Sequence, residues 1–295
     1  MMRLHVLASG SGGNAAVVEN ARTGEGVLVD CGICKRDLIA RCAEAGFDPA
    51  RIAAVLITHD HGDHVRGLGV ALRGLARLGC VPPVYASGAV CAAAPAIAEA
   101  AGSVGADLRA LRAGDAVSAA GIEAHAFRTS HDAAESFGFR FEDAGAPAGA
   151  AAGAATPGAP ASAAPDAGAR DVIAFMTDTG VVTPEAHEAL AGARLLAIES
   201  NHDAAMLEHG PYPWPVKRRI ASDRGHLSND QAAAELAALL AEGGADGLRA
   251  VVAMHVSQEN NDYRRPAEGL AAALAAAGHP ASVAVAYQSR LVSLA

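Results

Sequence analysis

Ile52-Ala53-Ala54-Val55-Leu56-Ile57-Thr58-His59-Asp60-His61-Gly62-Asp63-His64 is the stretch on which the reading of this chain turns. Six apolar residues in a row predict a buried strand, and Gly62 lets the chain turn sharply just beyond it. His59 and His61, two residues apart, can reach one metal ion from a strand end. Asp63 and His64 follow at once and can reach a second ion about 3.5–4 Å away. Neutral imidazole and carboxylate are the donors that a borderline divalent ion takes. The plain alternative is a polar loop that happens to hold histidines, but His-x-His-x-Asp-His should arise by chance in on the order of one such chain in a thousand. The stretch predicts a metal site.

Composition sets the bounds around it. A chain of 295 residues can form one large domain and bury roughly 75% of its unfolded surface. Apolar residues make up 51% of it but aromatics only 4%, so the core must be aliphatic. No run of about 18 apolar residues is present, which excludes a membrane-spanning helix, and the N-terminus lacks the long apolar stretch of a signal peptide. The five cysteines are odd in number and have no framework spacing; Cys31-Gly-Ile-Cys34 stands without a second pair. Reduced thiols and a cytoplasmic location are the expectation. A net charge of −9 argues against a general nucleic-acid binder. A polyanionic substrate would have to be met locally, by metal ions and by Lys217-Arg218-Arg219, Arg224 or Arg264-Arg265.

Along the chain, Arg3–Ala8 and Asn14–Glu19 read as strands joined by Ser9-Gly10-Ser11-Gly12-Gly13, a turn whose backbone could approach a phosphate. Helices are predicted over Asp37–Ala45, over the Leu68, Leu72, Leu75 and Leu78 repeat, and over Ala89–Ala100. Two more follow Ser228, which forms a capping box with Gln231, and Pro266. Short strands are expected in Leu108–Ser118, and Val283–Ala286 and Leu291–Leu294 should close the sheet. Residues 144–169 are almost wholly Ala, Gly, Pro, Ser and Thr and cannot bury enough apolar surface to order themselves. They read as a disordered, swollen hairpin loop within a single domain spanning 1–295, an insertion that costs little in closure entropy. Polar residues recur just past strand ends: Asp30, His59–His64, His131, Asp178, His226 and His255. That recurrence predicts one polar rim on one edge of the fold.

Thr-His-x-His-x-Asp-His after an apolar strand resembles the signature of the metallo-β-lactamase superfamily, whose fold is an α/β four-layer αββα sandwich. The resemblance implies two divalent metal ions, zinc or manganese. His59, His61 and His131 would hold the first, Asp63, His64 and His255 the second, and Asp178 would bridge them around an activated hydroxide. Asp30 would buttress the ligand loop, with Glu199 and His202 as further supporting residues. His226 competes with His255 for a ligand role; because it precedes a capped helix N-terminus, it is expected to act as general acid or phosphate contact.

A closer resemblance lies in Leu-Ala-Ser-Gly-Ser-Gly-Gly-Asn (7–14), Glu-Ser-Asn-His-Asp (199–203), Gly-Pro-Tyr-Pro (210–213), Lys-Arg-Arg-Ile (217–220), Gly-His-Leu-Ser-Asn (225–229) and Ser-Gln-Glu-Asn-Asn (257–261). Together these look like the YycJ/WalJ group of bacterial 5′→3′ DNA exonucleases. That implies phosphodiester hydrolysis from a DNA end, with Asp63 and His226 catalytic and Ser9, Gly10, Ser11, Lys217, Arg218 and Arg219 toward the substrate. A thioester or small-ester hydrolase of the glyoxalase II kind shares the same motif and is the alternative; a non-catalytic metal-binding partner protein is another.

Overall fold

The computed structural model describes residues 1–145 and 171–295. Two mixed sheets of seven strands each face one another. The first runs, edge to edge, β14 (Val292–Leu294), β1 (Met2–Ala8), β2 (Ala15–Asn20), β3 (Glu25–Val29), β4 (Ile52–Leu56), β5 (Val84–Ala86) and β6 (Leu108–Ala110). The second runs β13 (Ser282–Val285), β12 (Ala250–Met254), β11 (Leu195–Glu199), β10 (Val172–Met176), β9 (Phe137–Asp143), β8 (Ile122–Arg128) and β7 (Ala116–Ala119). Side chains alternate along each strand, so each sheet has two apolar faces. Leu4, Val6, Val29 and Leu56 from the first sheet meet Phe139, Phe141, Phe175 and Met254 from the second in a central core. Val55 and Ile57 point the other way.

Helices cover both outer faces. α1 (Lys35–Ala45), α3 (Leu68–Arg77) and α5 (Ala96–Gly102) bury Leu38, Leu72 and Ile97 against the first sheet. α6 (Pro184–Leu190), α9 (Asn229–Ala241) and α10 (Arg264–Ala276) bury Leu190, Leu236 and Leu270 against the second. The remaining α2 (Gly62–Val65), α4 (Gly88–Ala93), α7 (Ala204–His209) and α8 (Trp214–Ile220) sit in the connections. Three apolar layers between four structural ones make the αββα sandwich. Ser228 and Gln231 form the expected capping box at the start of α9.

Several expectations need correction. The predicted helix over Ala89–Ala100 is two, because Pro95 cannot continue α4 and instead caps α5. Leu78 is 49% exposed at the C-cap of α3, so the covering face ends at Leu75. The two strands within Leu108–Ser118 belong to different sheets: the chain crosses the sandwich between β6 and β7. Likewise β13 and β14 do not close one sheet but each edge a different one. The stretch predicted as a disordered loop lies, from residue 146 on, outside the described residues. On either side of it β9 and β10 pair antiparallel, Glu142 opposite Val172.

The topology explains the rim. β3 runs parallel to β4, and β10, β11 and β12 run parallel to one another. Two antiparallel steps make β8 parallel to β10 and β1 parallel to β3. The C-terminal ends of these strands therefore open on a common edge of the sandwich. No helix among the described residues is long and apolar enough to cross a membrane.

Candidate metal centre

Strand ends deliver the donors. The loop after β4 carries His59, His61, Asp63 and His64; β8 leads to His131, β10 to Asp178, β11 to Glu199 and β12 to His255. Asp30, Asp178 and His255 have left-handed backbones, with φ of 57°, 56° and 52°; Ala120 is the fourth such non-glycine residue among those described. Left-handed residues cost free energy unless their surroundings hold them, and they gather at functional sites. For His255 the hold is visible: its N–H donates to Ser9 Oγ at 2.8 Å and its carbonyl accepts from Asn201 Nδ2 at 2.7 Å.

Among the described residues three overlapping groups of donors result: His59, His61 and His131; His59, His64 and Asp178; and Asp178, Glu199, His226 and His255. In the first, His59, His61 and His131 bring their ring nitrogens within 4.8 Å of one another. His59 Nδ1–H donates to Thr58 Oγ1 at 2.9 Å, and Thr58 Oγ1 donates in turn to Asp30 Oδ2 at 2.8 Å. That leaves His59 Nε2 buried without a protein partner. His131 Nδ1–H donates to the Gly225 carbonyl at 2.9 Å, turning Nε2 to within 3.2 Å of His61 Nδ1. Burial, then the charge of His64, pushes His59 well below the usual imidazole range, and burial lowers His131. Both are neutral donors.

Asp63 belongs to none of these groups, but its Oδ2 lies 3.6 Å from His64 Nε2 and 3.8 Å from His255 Nε2. His64 Nδ1–H donates to Asp30 Oδ2 at 2.8 Å. Asp178 links the groups, Oδ1 3.7 Å from His131 Nε2 and Oδ2 3.3 Å from His64 Nε2. Burial works against charge on His64 and His255, but Asp178 with Asp30 or Glu199 outweighs it. His64 rises well above its ordinary value and His255 to about 10. The carboxylates of Asp30, Asp63, Asp178 and Glu199 thus draw positive charge into the rim, and in the protein alone protons on two imidazoles supply it. An orphaned ring nitrogen, fixed tautomers and that charge deficit all fit divalent cations.

Glu199, fully buried, accepts four bonds: from His226 Nδ1 at 2.8 Å, Thr179 N at 2.9 Å, Leu227 N at 3.2 Å and His255 Nδ1 at 3.2 Å. Burial would raise its carboxyl, but His226 and then His255 hold it down to about 2. His226 is 17% exposed at its side chain, and its Nδ1 lies 3.8 Å from Asp178 Oδ1. His202 stands beside this group without joining it. Its Nδ1 has no partner, and burial pushes the imidazole down to about 4, so it stays neutral near neutral pH.

The expected substrate contacts divide. Ser9 is 1% exposed and spent on the His255 N–H, so it positions that residue in place of touching substrate. Gly10 N–H donates to Asn14 Oδ1 and Gly12 N–H to Gln288 Oε1, which leaves little of the expected phosphate cradle; Ser11 is exposed. Lys217 Nζ donates to the Glu208 carbonyl and Arg219 Nε to Asp132, while Arg218 is exposed with no partner among the described residues. The Cys31 thiol is pushed up to about 12 by burial and then by Asp30, so it stays protonated and offers no thiolate.

Sequence reasoning assigned no role to Thr58, Asn14 or Asp132. Thr58 links Asp30 to two histidines. Asn14 Nδ2 lies 2.9 Å from His64 Nε2, and Asp132 Oδ1 lies 3.3 Å from His131 Nε2. Thr58 and Asp132 each adjoin a predicted ligand, which was the one signal available.

An αββα sandwich with imidazole and carboxylate donors paired on one rim defines a metal-dependent hydrolase. The sequence model of the beta-lactamase superfamily domain matches residues 26–256, and the chain belongs to that superfamily. The fold of this superfamily generally binds two divalent metal ions. The chain is 32% identical over 263 residues to the exodeoxyribonuclease YycJ of Bacillus anthracis, covering 88% of this chain and 85% of that one. It is 29% identical over 259 residues to the exodeoxyribonuclease WalJ of Streptococcus pneumoniae serotype 2, covering 87% and 82%. Among solved structures, the metallo-beta-lactamase fold protein YhfI from Bacillus subtilis matches with a TM-score of 0.66 at 14% identity, over 99% of both chains.

Proposed function

We propose that the protein is a DNA exonuclease that hydrolyses phosphodiester bonds from a 5′ end with two divalent cations, zinc or manganese. His59, His61 and His131 would hold one ion and Asp63, His64 and His255 the other, with Asp178 placed to serve either. The observation that carries this is the Asp178 carboxylate, with one oxygen toward His131 and the other toward His64. Similarity to two exodeoxyribonucleases over most of the chain supports DNA as the substrate.

The cations, when bound, supply Lewis acidity and lower the pKa of a shared water toward neutrality. The chain supplies orientation and proton movement. Asp30, through Thr58 for His59 and directly for His64, keeps their Nε2 atoms turned inward, and the Gly225 carbonyl does the same for His131. Asp63, at 21% more exposed than Asp178 at 2%, orients the attacking water and takes up its proton. His226, with Nδ1–H held by Glu199, delivers a proton from Nε2 to the leaving sugar oxygen. Ser11 and Arg218 are the predicted substrate contacts still free to meet phosphates.

Purified protein with Mn²⁺ or Zn²⁺ is offered 5′-labelled duplex DNA, single-stranded DNA, RNA and a glutathione thioester. Release of labelled mononucleotides from DNA is expected. Thioester turnover with inert nucleic acid would replace this reading with an ester hydrolase, and two bound metals without any turnover would favour a binding protein.

A further inference from the structure

The chain holds one tryptophan, and it is left in water: Trp214, the first residue of α8, is 69% exposed. An indole is usually the last side chain a protein leaves uncovered, the more so where aromatics are 4% of the residues. α8 buries none of its seven residues, and its last turn carries Lys217, Arg218 and Arg219. Trp214 and Arg218 are four apart, hence on one helix face, and both are exposed. From Trp214 to Arg224 there are four basic residues and one acidic, Asp223, in a chain of net charge −9.

The helix is also tied to the metal centre. Arg219 pairs with Asp132, whose Oδ1 lies 3.3 Å from His131 Nε2 and 3.7 Å from His61 Nε2. The last turn of α8 therefore stands at the mouth of the site, with Trp214 about 7.5 Å further along the helix axis.

We infer that this face of α8 is a docking surface for single-stranded DNA: Trp214 stacks on a base while Arg218 faces the phosphates of a strand whose end lies among the metal ligands. The inference rests on the nuclease reading. It adds to that reading a grip outside the site that does not read sequence, because every base offers a π face. A second copy of this chain is the poorer occupant, since two such cationic faces repel one another and a polyanion does not.

Because Trp214 is the only indole, its fluorescence reports on this surface without a label. Metal-loaded protein is titrated with a cleavage-resistant phosphorothioate oligothymidylate about twenty nucleotides long, enough to fill a site of this kind. Quenching is expected, and Arg218→Ala should reduce the slope of log K against log salt by about 0.7. Trp214→Ala should lower the ratio of kcat/KM on cleavable oligothymidylate to that on bis(p-nitrophenyl) phosphate roughly tenfold, with Trp214→Phe recovering most of it. Unquenched fluorescence and an unchanged ratio, in protein that digests DNA, would overturn the docking surface and leave the nuclease standing. Turnover of the small diester with no DNA cleavage would remove the nuclease reading and this inference together. An emission shift that follows protein concentration in DNA-free buffer would assign the face to a second copy and overturn the inference.

Discussion

Glu199→Gln is the substitution that most directly tests how the rim is held. Gln keeps the shape of Glu, and its carbonyl oxygen can still accept from Thr179 N and Leu227 N. Its amide nitrogen, however, would face His226 Nδ1 and His255 Nδ1, which now donate to the carboxylate. His255 can keep its Nδ1–H on Asp178 Oδ1, 2.9 Å away, and loses only the Glu199 bond. His226, to accept from the amide nitrogen, must move its proton to Nε2, the atom it needs for its proton cycle. Loss of a supporting hydrogen bond costs a metal site about 10–100-fold and loss of general acid catalysis about 10²–10⁴-fold, so kcat/KM should fall by at least about 10³. Stability should respond as well. A carboxyl held at about 2 against an ordinary 4.5 corresponds to about 3 kcal/mol in the metal-free protein. Because this folded value is depressed, the contribution is present above about pH 4.5 and lost as the pH falls toward 2. Urea titrations of the metal-free wild type and variant at pH 7 should therefore differ by about 3 kcal/mol, and less in acid. A variant with two metals bound, activity within a factor of two and the wild-type urea midpoint would refute the reasoning.

His255→Ala should reduce bound metal from two ions per chain to about one by elemental analysis, whereas His226→Ala should keep both and lose about 10²–10³-fold in kcat. Gly32→Ala should cost at least about 3 kcal/mol in thermal unfolding and lower metal content, because a Cβ there would stand 1.5 Å from the Asp63 carbonyl oxygen and 2.9 Å from Asn14 N. His187 is raised above its ordinary 6.5 by its hydrogen bond to Glu242 and then by Glu235. Its contribution is therefore fully present below about pH 6.5 and lost as the pH rises through the folded value; on so exposed a group it amounts to about 0.5 kcal/mol. His187→Gln should lower the urea midpoint at about pH 5.5 and leave it unchanged at about pH 9.

The ligand loop could be read in the sequence because its donors are neighbours in the chain and the strand before them is unbroken from Ile52 to Ile57. His131, Asp178 and His255 were visible as polar residues after apolar runs, a weaker signal that gains weight from repetition. What stayed hidden depends on partners distant in sequence. Leu108–Ala110 and Ala116–Ala119 look alike as short strands, and nothing local says that the chain changes sheets between them. Ser9 reads as part of a glycine-rich turn until β1 and β12 end side by side and its hydroxyl meets the His255 N–H. Glu199 draws its four donors from Thr179, His226, Leu227 and His255, on three separate segments, so the sequence could suggest support near the metals but not the centre of a bonding hub. The break at Pro95 was legible and was missed because alanine on both sides masked it.

The left-handed backbones of Asp30, Asp178 and His255 bear on how this enzyme could be re-engineered. Aspartate, asparagine and histidine are the side chains that best tolerate that conformation after glycine, so chain geometry and ion chemistry filter these positions through the same narrow alphabet. Exchanging one of them for cysteine or glutamate to recruit a different metal would oppose both filters at once. Libraries aimed at a new metal preference should begin at His59, His61 and His64, whose backbones are free of the left-handed filter.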